Sequence, residues 1–318
     1  MKISGNKFLV TGGAGFIPSH LVDMLLERGA EEVRIIDNFV RGTRDNIKGA
    51  LKDPRCNLIE GDIRSTEDVL RATKNIDGVF HTASMCLGYC QDNPREGYDV
   101  NVTGTLNVLE ACAENKVGRL IFSSSSSVYG NAAYSPMDEN HPFENKNIYG
   151  ATKICGEALC RAYSNKYKLP YLSLRYMNVF GPRQDYLGTY VAVIIRIIDR
   201  INQSLPPVIH GDGSQAFDFV YVKDICRANC LAMESNATDD VFNISSGKGT
   251  TVLELCKKIM KIMKSKAKIE FIPEDTSVLV TKRIGSTGKA KKRLGFEIET
   301  EIDKGLALTV QWKKAMGK

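Results

Sequence analysis

The sequence predicts an α/β fold: a doubly wound parallel sheet over residues 1–181, with some later segments returning to it, and a smaller mixed lobe built mainly from residues 182–318. Three observations carry that expectation. Apolar runs of strand length alternate with helix-length segments through the first part, a glycine-rich turn joins the first strand to the first helix, and the alternation loses its regularity beyond about Pro182.

In chain order, Phe8-Leu9-Val10 is the first strand and residues 21–26 lie in the first helix. Residues 33–36, 58–59, 78–80 and 120–122 follow as strands, with helical segments around 69–70 and over 102–112. A helix from about 150 to 167 leads into a strand at 171–175. Strands joined by crossover helices run parallel and carry helices on both faces. In the second part the expected elements are a helix over 190–201, short strands around Val208 and over 219–222, and a final helix near 304–313. Within 257–268, Ile259, Met260, Ile262 and Met263 recur at helical spacing and predict an amphipathic helix with a basic outer face.

The chain has 318 residues, 43% hydrophobic and 25% charged, enough to bury one large core or two modest ones. Met1-Lys2-Ile3-Ser4-Gly5-Asn6-Lys7 runs straight into a strand, and Arg196 interrupts the apolar run 191–198. A soluble, cytoplasmic protein with no membrane partner is expected. The nine cysteines are scattered and form no C-x-x-C pair, which predicts reduced thiols. None of the four histidines stands at ligand spacing from another or from a cysteine, so no metal is expected. The net charge of +6 is spread without a basic and aromatic strip, which argues against nucleic acid and suits a small anionic substrate.

The stretch Thr11-Gly12-Gly13-Ala14-Gly15-Phe16-Ile17-Pro18-Ser19-His20 joins that first strand to its helix. In a G-x-x-G-x-x-G turn the first glycine makes the bend, the second lets backbone approach a pyrophosphate, and the third serves helix packing. Gly12 and Gly15 hold the first two places, and Pro18 holds the third. Proline is tolerated among the first helical residues, whose N–H groups have no intrahelical acceptor, so the helix is expected to begin no earlier than about Gly15. Asp37 ends the second strand where a carboxylate accepts from an adenosine ribose hydroxyl, which favours NAD; Arg41 and Arg44 are the residues that would hold a 2′-phosphate instead. Gly61-Asp62-Ile63 and His81-Thr82-Ala83-Ser84 fall at strand C-terminal ends, where open α/β sheets bind ligand.

Tyr149-Gly150-Ala151-Thr152-Lys153 places a phenol and an ammonium four residues apart on one helix face. An ammonium that close favours the phenolate, so a Tyr149 pKa lowered toward neutrality is expected, and with it service as a base. Upstream, Ser123-Ser124-Ser125-Ser126-Ser127-Val128-Tyr129-Gly130 puts hydroxyls at a strand end.

Together with DVNVTGT (99–105), LRYMNVFGPR (174–183) and GDGSQAFDFVYVKD (211–224), these motifs stand in a familiar order. Over essentially its whole length the chain resembles the extended short-chain dehydrogenase/reductase family, in its nucleotide-sugar epimerase/dehydratase group, and most of all the UDP-hexose 4-epimerases. The resemblance implies a Rossmann-type domain binding NAD and a smaller C-terminal lobe binding a nucleoside diphosphate sugar, UDP favoured. It also implies a homodimer formed through two helices, about 101–114 and 149–167. Tyr149 resembles the catalytic base, Lys153 the residue that binds the nicotinamide ribose and lowers the tyrosine pKa, and Ser125 their hydroxyl partner. Cofactor contacts are implied for Gly12, Gly15, Phe16, Ile17, Asp37, Asn38, Asp62, Ile63, Ala83, Ser84, Asn101, Ser123, Tyr149, Lys153, Tyr176 and Val179. Substrate contacts are implied for Met85, Ser125, Ser126, Asn178, Arg183, Val193, His210, Gln215 and Arg283.

In relatives that eliminate water an Asp-Glu pair follows the catalytic hydroxyl residue, and in those that epimerise C3 and C5 a cysteine precedes the Val/Ile-Tyr pair. Ser126 and Ser127 occupy those places here. The implied reaction is therefore 4-epimerisation by transient C4 oxidation and hydride return. A C4 dehydrogenase or decarboxylase is the alternative, and a non-catalytic NAD-binding regulator a further one. Phe217 replaces the arginine with which many relatives clamp the diphosphate, and their Arg-Pro-Gly-Asp segment near residue 275 is missing, leaving Arg183, Lys282 and Arg283 as candidate cations. Arg283 falls near the position that gates sugar size; an arginine there crowds an N-acetyl group and suits a uronate. Gln184-Asp185 with Gly188-Thr189-Tyr190 instead resembles N-acetylhexosamine epimerases. Hexose, hexuronate and N-acetylhexosamine stay open.

Overall fold

A strand buried on both faces must be apolar on both, and β1 (Lys7–Thr11) meets that condition, with Phe8, Leu9 and Val10 fully buried. The computed structural model describes residues 1–185, 191–273 and 280–317. After β1 come α1 (Phe16–Glu27), β2 (Glu32–Asp37), α2 (Arg44–Ile47), β3 (Cys56–Glu60), α3 (Thr66–Thr73), β4 (Gly78–His81), α4 (Leu87–Asp92), α5 (Pro94–Tyr98), α6 (Gly104–Glu114), β5 (Arg119–Ser125), α7 (Ile148–Tyr167) and β6 (Tyr171–Tyr176). The second part holds β7 (Asn178–Phe180), α8 (Val193–Asn202), β8 (Val208–His210), β9 (Ala216–Phe217), β10 (Phe219–Tyr221), α9 (Val222–Glu234), β11 (Asp240–Ile244), β12 (Thr250–Thr251), α10 (Val252–Met263), β13 (Glu270–Ile272), β14 (Lys282–Arg283), α11 (Gly288–Leu294) and α12 (Ile302–Ala315).

Seven parallel strands form one sheet in the order β11-β6-β5-β4-β1-β2-β3. The chain winds outward from β1 to β3, then crosses to β4 and winds the other way, so the strand order reverses between β1 and β4. A crevice opens at such a reversal, outside the strand C-terminal ends. The sheet's outermost strand on the β6 side, β11, comes from the second part of the chain, and α9 packs against α1. Small sheets β7–β10, β8–β13 and β9–β12–β14, with α8, α10 and α12, make up the remainder.

The expected amphipathic helix lies further upstream than its lysines suggest. A capping box, Thr251 with Glu254, starts α10 at Val252, and Lys264 at φ 55° ends it, so 265–268 lie outside. The helix expected from 190 starts at Val193; residue 190 lies outside the described residues, as do Gly188, Thr189 and the segment near 275. All nine cysteines are free thiols, and among the described residues no helix is long and apolar enough to cross a membrane.

Candidate active site

A cavity of about 670 Å³ occupies the crevice, within the usual size for small-molecule sites. Its walls are the glycine turn, the C-terminal ends of β2 to β6 with the loops that follow them, the start of α7, residues 183–185, Ala192, Trp312 of α12 and Met316 just beyond it.

The glycine turn is built as its sequence requires. Gly15 is the N-cap of α1, and Pro18 is its third residue. The first backbone bond of the helix runs from Ser19 N to Gly15 O (3.1 Å), so the missing N–H of Pro18 removes nothing. Gly12 sits at φ 66°, and a Cβ on it would lie 2.9 Å from Ala83 Cα. The two strands that flank the reversal are tied there: Thr11 Oγ1 bonds His81 Nδ1 (2.8 Å) and accepts from Thr82 N and Ala83 N. His81 Nε2 bonds Thr105 (2.9 Å), and burial holds its pKa down at about 3, so this histidine is a neutral strut while Thr82, Ala83 and Ser84 form the wall.

Asp37 is 6% exposed, with one oxygen accepting from Ala14 N (2.9 Å) and the other from Phe39 N (2.8 Å). Burial raises its pKa and these two N–H groups oppose the rise. Both arginines able to hold a 2′-phosphate already face a carboxylate: Arg41 pairs with Asp185 at 2.7 Å, and Arg44 with Glu60. Asn38 bonds Asp62 (2.9 Å); burial works to raise the Asp62 pKa, but Arg64 and Asn38 bring it down to about 2.

At the other end, Asn147 caps α7, its side chain accepting from Gly150 N at 2.8 Å. A Cβ on Gly150 would collide with Asn145 Oδ1 and Ser127 O, so glycine there lets α7 press against the turn that follows β5. Tyr149 and Lys153 both line the cavity, and the hydroxyls of Ser125 and Ser84 act on the phenol to favour its ionised form. Lys153 is 4% exposed and donates to Ser123 O at 2.9 Å, with its Nζ 5.6 Å from the Tyr149 ring centre. The expected lowering of the tyrosine pKa is corrected by this geometry. Burial raises Tyr149 to about 12 and lowers Lys153 to about 8, because both charged forms lose their water.

Of the residues implied for the site, Gly12, Gly15, Phe16, Ile17, Asp37, Asn38, Asp62, Ile63, Ala83, Ser84, Met85, Ser123, Tyr149, Lys153, Tyr176 and Arg183 line the cavity, and Ser125 reaches it through Tyr149. Asn101 does not. It is 3% exposed in the wide turn Asp99–Thr103, where it accepts from Met85 N (2.7 Å) and donates to Met85 O and Thr152, so it holds the Ser84-Met85 loop and forms no wall. Ser126 is buried at 2% exposure, and Asn178 and Val179 are committed to pairing with β10. Val193 starts α8, His210 is exposed at the end of β8, and Gln215 O accepts from Val252 N; none of these lines the cavity.

Arg283 is also outside the walls, yet its charge is felt at Tyr149. It is 8% exposed, burial lowers its pKa to about 10, and its Nε has no hydrogen-bond partner among the described residues. Sequence reasoning missed Arg41 and Asp185 as a pair across the cavity, and Cys86, Ala192, Trp312 and Met316 as walls. Nothing local marks Trp312, which reaches the crevice only because α12 packs on β10 and α10.

A glycine turn for a pyrophosphate and a tyrosine–lysine pair in one crevice define a nucleotide-dependent redox site on a doubly wound sheet. Residues 8–245 match the NAD dependent epimerase/dehydratase family, and the chain belongs to it. It is 36% identical over 310 residues to a putative UDP-glucose 4-epimerase of Methanocaldococcus jannaschii, covering 96% of this chain and 98% of that one. It is 31% identical to a UDP-N-acetyl-alpha-D-glucosaminuronate decarboxylase of Bacillus cytotoxicus, covering 96% of each. Among solved structures it resembles the UDP-N-acetylglucosamine 4-epimerase of Methanobrevibacter ruminantium M1 in complex with UDP-N-acetylmuramic acid, with a TM-score of 0.93, 33% identity, and coverage of 98% of this chain and 99% of that one.

Proposed function

We propose that the protein is an NAD-using 4-epimerase of a UDP-sugar, acting in the cytoplasm as a homodimer. The observation that carries this reading is the catalytic end of the cavity, where Tyr149, its phenol favoured in the ionised form by the hydroxyls of Ser125 and Ser84, shares a helix face with Lys153. Residues 1–181, with β11 and α9, hold the cofactor, and residues 182–318 mainly receive the sugar nucleotide. Gly12, Gly15, Phe16 and Ile17 take the pyrophosphate at the N-terminus of α1, and Asp37 takes the adenosine ribose. NAD, when bound, supplies the acceptor and then the donor of hydride at C4 of the sugar.

Tyr149 takes the proton of the C4 hydroxyl during oxidation and returns it to the oxygen when the ketone is reduced on its other face. Ser125 hydrogen-bonds that oxygen, and Lys153 stabilises the phenolate. Ser126 and Ser127, both buried, carry no group that titrates near neutrality, so elimination of water has no proton carrier there. Arg183 is suited to the diphosphate: Asp23 anchors its Nη2 at 2.7 Å, and its buried Nη1 has no partner among the described residues.

Oxidation with decarboxylation of a UDP-uronate is the second reading, favoured by the buried Arg283, whose charge interacts with Tyr149, and by the decarboxylase relative. A panel of UDP-hexoses, UDP-hexuronates and UDP-N-acetylhexosamines, followed by NMR at C4 and by nicotinamide absorbance, tests both. The expected result is inversion at C4 without accumulation of NADH. Release of carbon dioxide would favour the second reading, and no turnover of any sugar would overturn both.

A further inference from the structure

Behind Tyr149 and Lys153 lies a buried polar cluster to which the proposed reaction gives no part. Ser124 and Arg175 are cross-strand partners in β5 and β6, so their side chains share one face of the sheet. Glu157 stands on α7 one turn beyond Lys153 and two beyond Tyr149. Its carboxylate accepts from Ser124 Oγ at 2.5 Å and from Arg175 Nε and Nη2 at 2.8 and 2.7 Å. The Arg175 and Glu157 side chains are 4% and 13% exposed. Arg175 is itself pinned, donating from Nη1 to Tyr129 Oη at 2.8 Å and lying over the Tyr129 and Phe143 rings. An ion pair this far from water adds little net stability, because desolvation of both partners offsets their attraction. What it supplies here is fixed geometry.

Ser124 stands between two residues the site uses. Ser123 O receives the Lys153 ammonium at 2.9 Å, and the Ser125 hydroxyl acts on the Tyr149 phenol. The peptide joining Ser123 to Ser124 carries that carbonyl, so anchoring the Ser124 side chain also sets the direction in which the carbonyl points. We infer that Glu157 is a positioning residue: through Ser124 and Arg175 it locks the end of β5 to α7 and holds Lys153 and Ser125 in register with Tyr149. The inference rests on the roles proposed above for Tyr149 and Lys153. Glu157 is not part of the cavity wall.

Glu157 also acts through its charge. Facing Lys153 are Tyr149, Glu157 and Cys160 on α7, Cys90 on α4 and His81 on β4, and the one carboxylate in that set favours the ammonium form against burial. Glu157→Gln keeps the shape and removes the charge, whereas Ser124→Ala removes only the hydroxyl. Each variant is assayed for kcat and KM against pH. The Lys153 ε-carbon resonance is titrated by NMR and assigned by its loss in Lys153→Met. Glu157→Gln is expected to lower kcat about tenfold with little change in KM, as for a weakened general base. It also moves the basic limb of kcat and the Lys153 midpoint to lower pH by roughly half a unit or more, the scale of a lost nearby charge. Ser124→Ala lowers kcat less and leaves the midpoint in place.

A folded Glu157→Gln enzyme with wild-type kcat and an unmoved Lys153 midpoint overturns the inference. If that variant does not fold, an unchanged kcat in Ser124→Ala overturns it. Full activity of Tyr149→Phe would instead remove the assignment underneath, while the NMR midpoint reads the action of Glu157 on Lys153 without any turnover.

Discussion

Replacing Lys153 with methionine is expected to abolish epimerisation and to make the protein more stable at neutral pH. Burial lowers the pKa of this lysine from 10.5 to about 8. At ~1.4 kcal/mol per pH unit, that difference amounts to a penalty of roughly 3 kcal/mol for carrying the charge inside the fold. Methionine keeps most of the apolar stem but loses the bond to Ser123 O, which costs about 1 kcal/mol. A net gain of about 2 kcal/mol follows. Below the folded pKa the lysine is protonated in both states and the penalty is complete. Between about 8 and 10.5 the folded protein has released its proton while the unfolded chain keeps it, so wild-type stability rises with pH and the variant's advantage fades. Urea unfolding at neutral and at alkaline pH, read by the fluorescence of Trp312, the only tryptophan, measures both effects. A variant no more stable than wild type at neutral pH, or an advantage that does not narrow as pH rises, would refute the reasoning.

Three other substitutions probe the rest of the cavity. Gly12→Ala forces a Cβ to 2.9 Å from Ala83 Cα at φ 66°, and NAD affinity measured by calorimetry should fall more than about tenfold, since the strain alone is worth ~1–3 kcal/mol. Pro18→Gly should leave NAD affinity within about twofold, because no phosphate contact depends on that residue, while urea unfolding shows a loss of ~1 kcal/mol from a freer unfolded chain. Arg283→Met should lower kcat by about tenfold, the effect of one pKa unit lost at the phenolate, with NAD affinity unchanged.

What the sequence made legible follows from how local each cause is. Strands buried on both faces must be apolar runs, so β1, β2, β4, β5 and β6 could be read directly, and the N–H that proline lacks bounded the start of α1, whose N-cap is Gly15. The place of β11 beside β6 depends on α9 packing against α1, a contact between distant parts of the chain. Trp312 on the cavity wall is another such tertiary fact. Asn101 shows a subtler limit, since its motif marks a residue close to the site and does not separate touching a ligand from holding the loop that does.

Tyr149 shows the same limit in its chemistry. The i, i+4 spacing correctly made neighbours of a phenol and an ammonium, but spacing carries no information about whether water reaches them. In the structure a single cause, loss of water, acts on both with opposite sign: the phenol goes up to about 12 and the ammonium down to about 8. At neutral pH the phenol therefore keeps its proton, and the ammonium is still mostly protonated despite its burial. A phenolate in this site depends on groups that stabilise negative charge there: the hydroxyls of Ser125 and Ser84, the buried cation of Arg283 and, in the proposed reaction, the ammonium of Lys153. The base is thus held in reserve by burial, and its readiness is set by residues from β5, the loop after β4 and β14, far from one another in the chain.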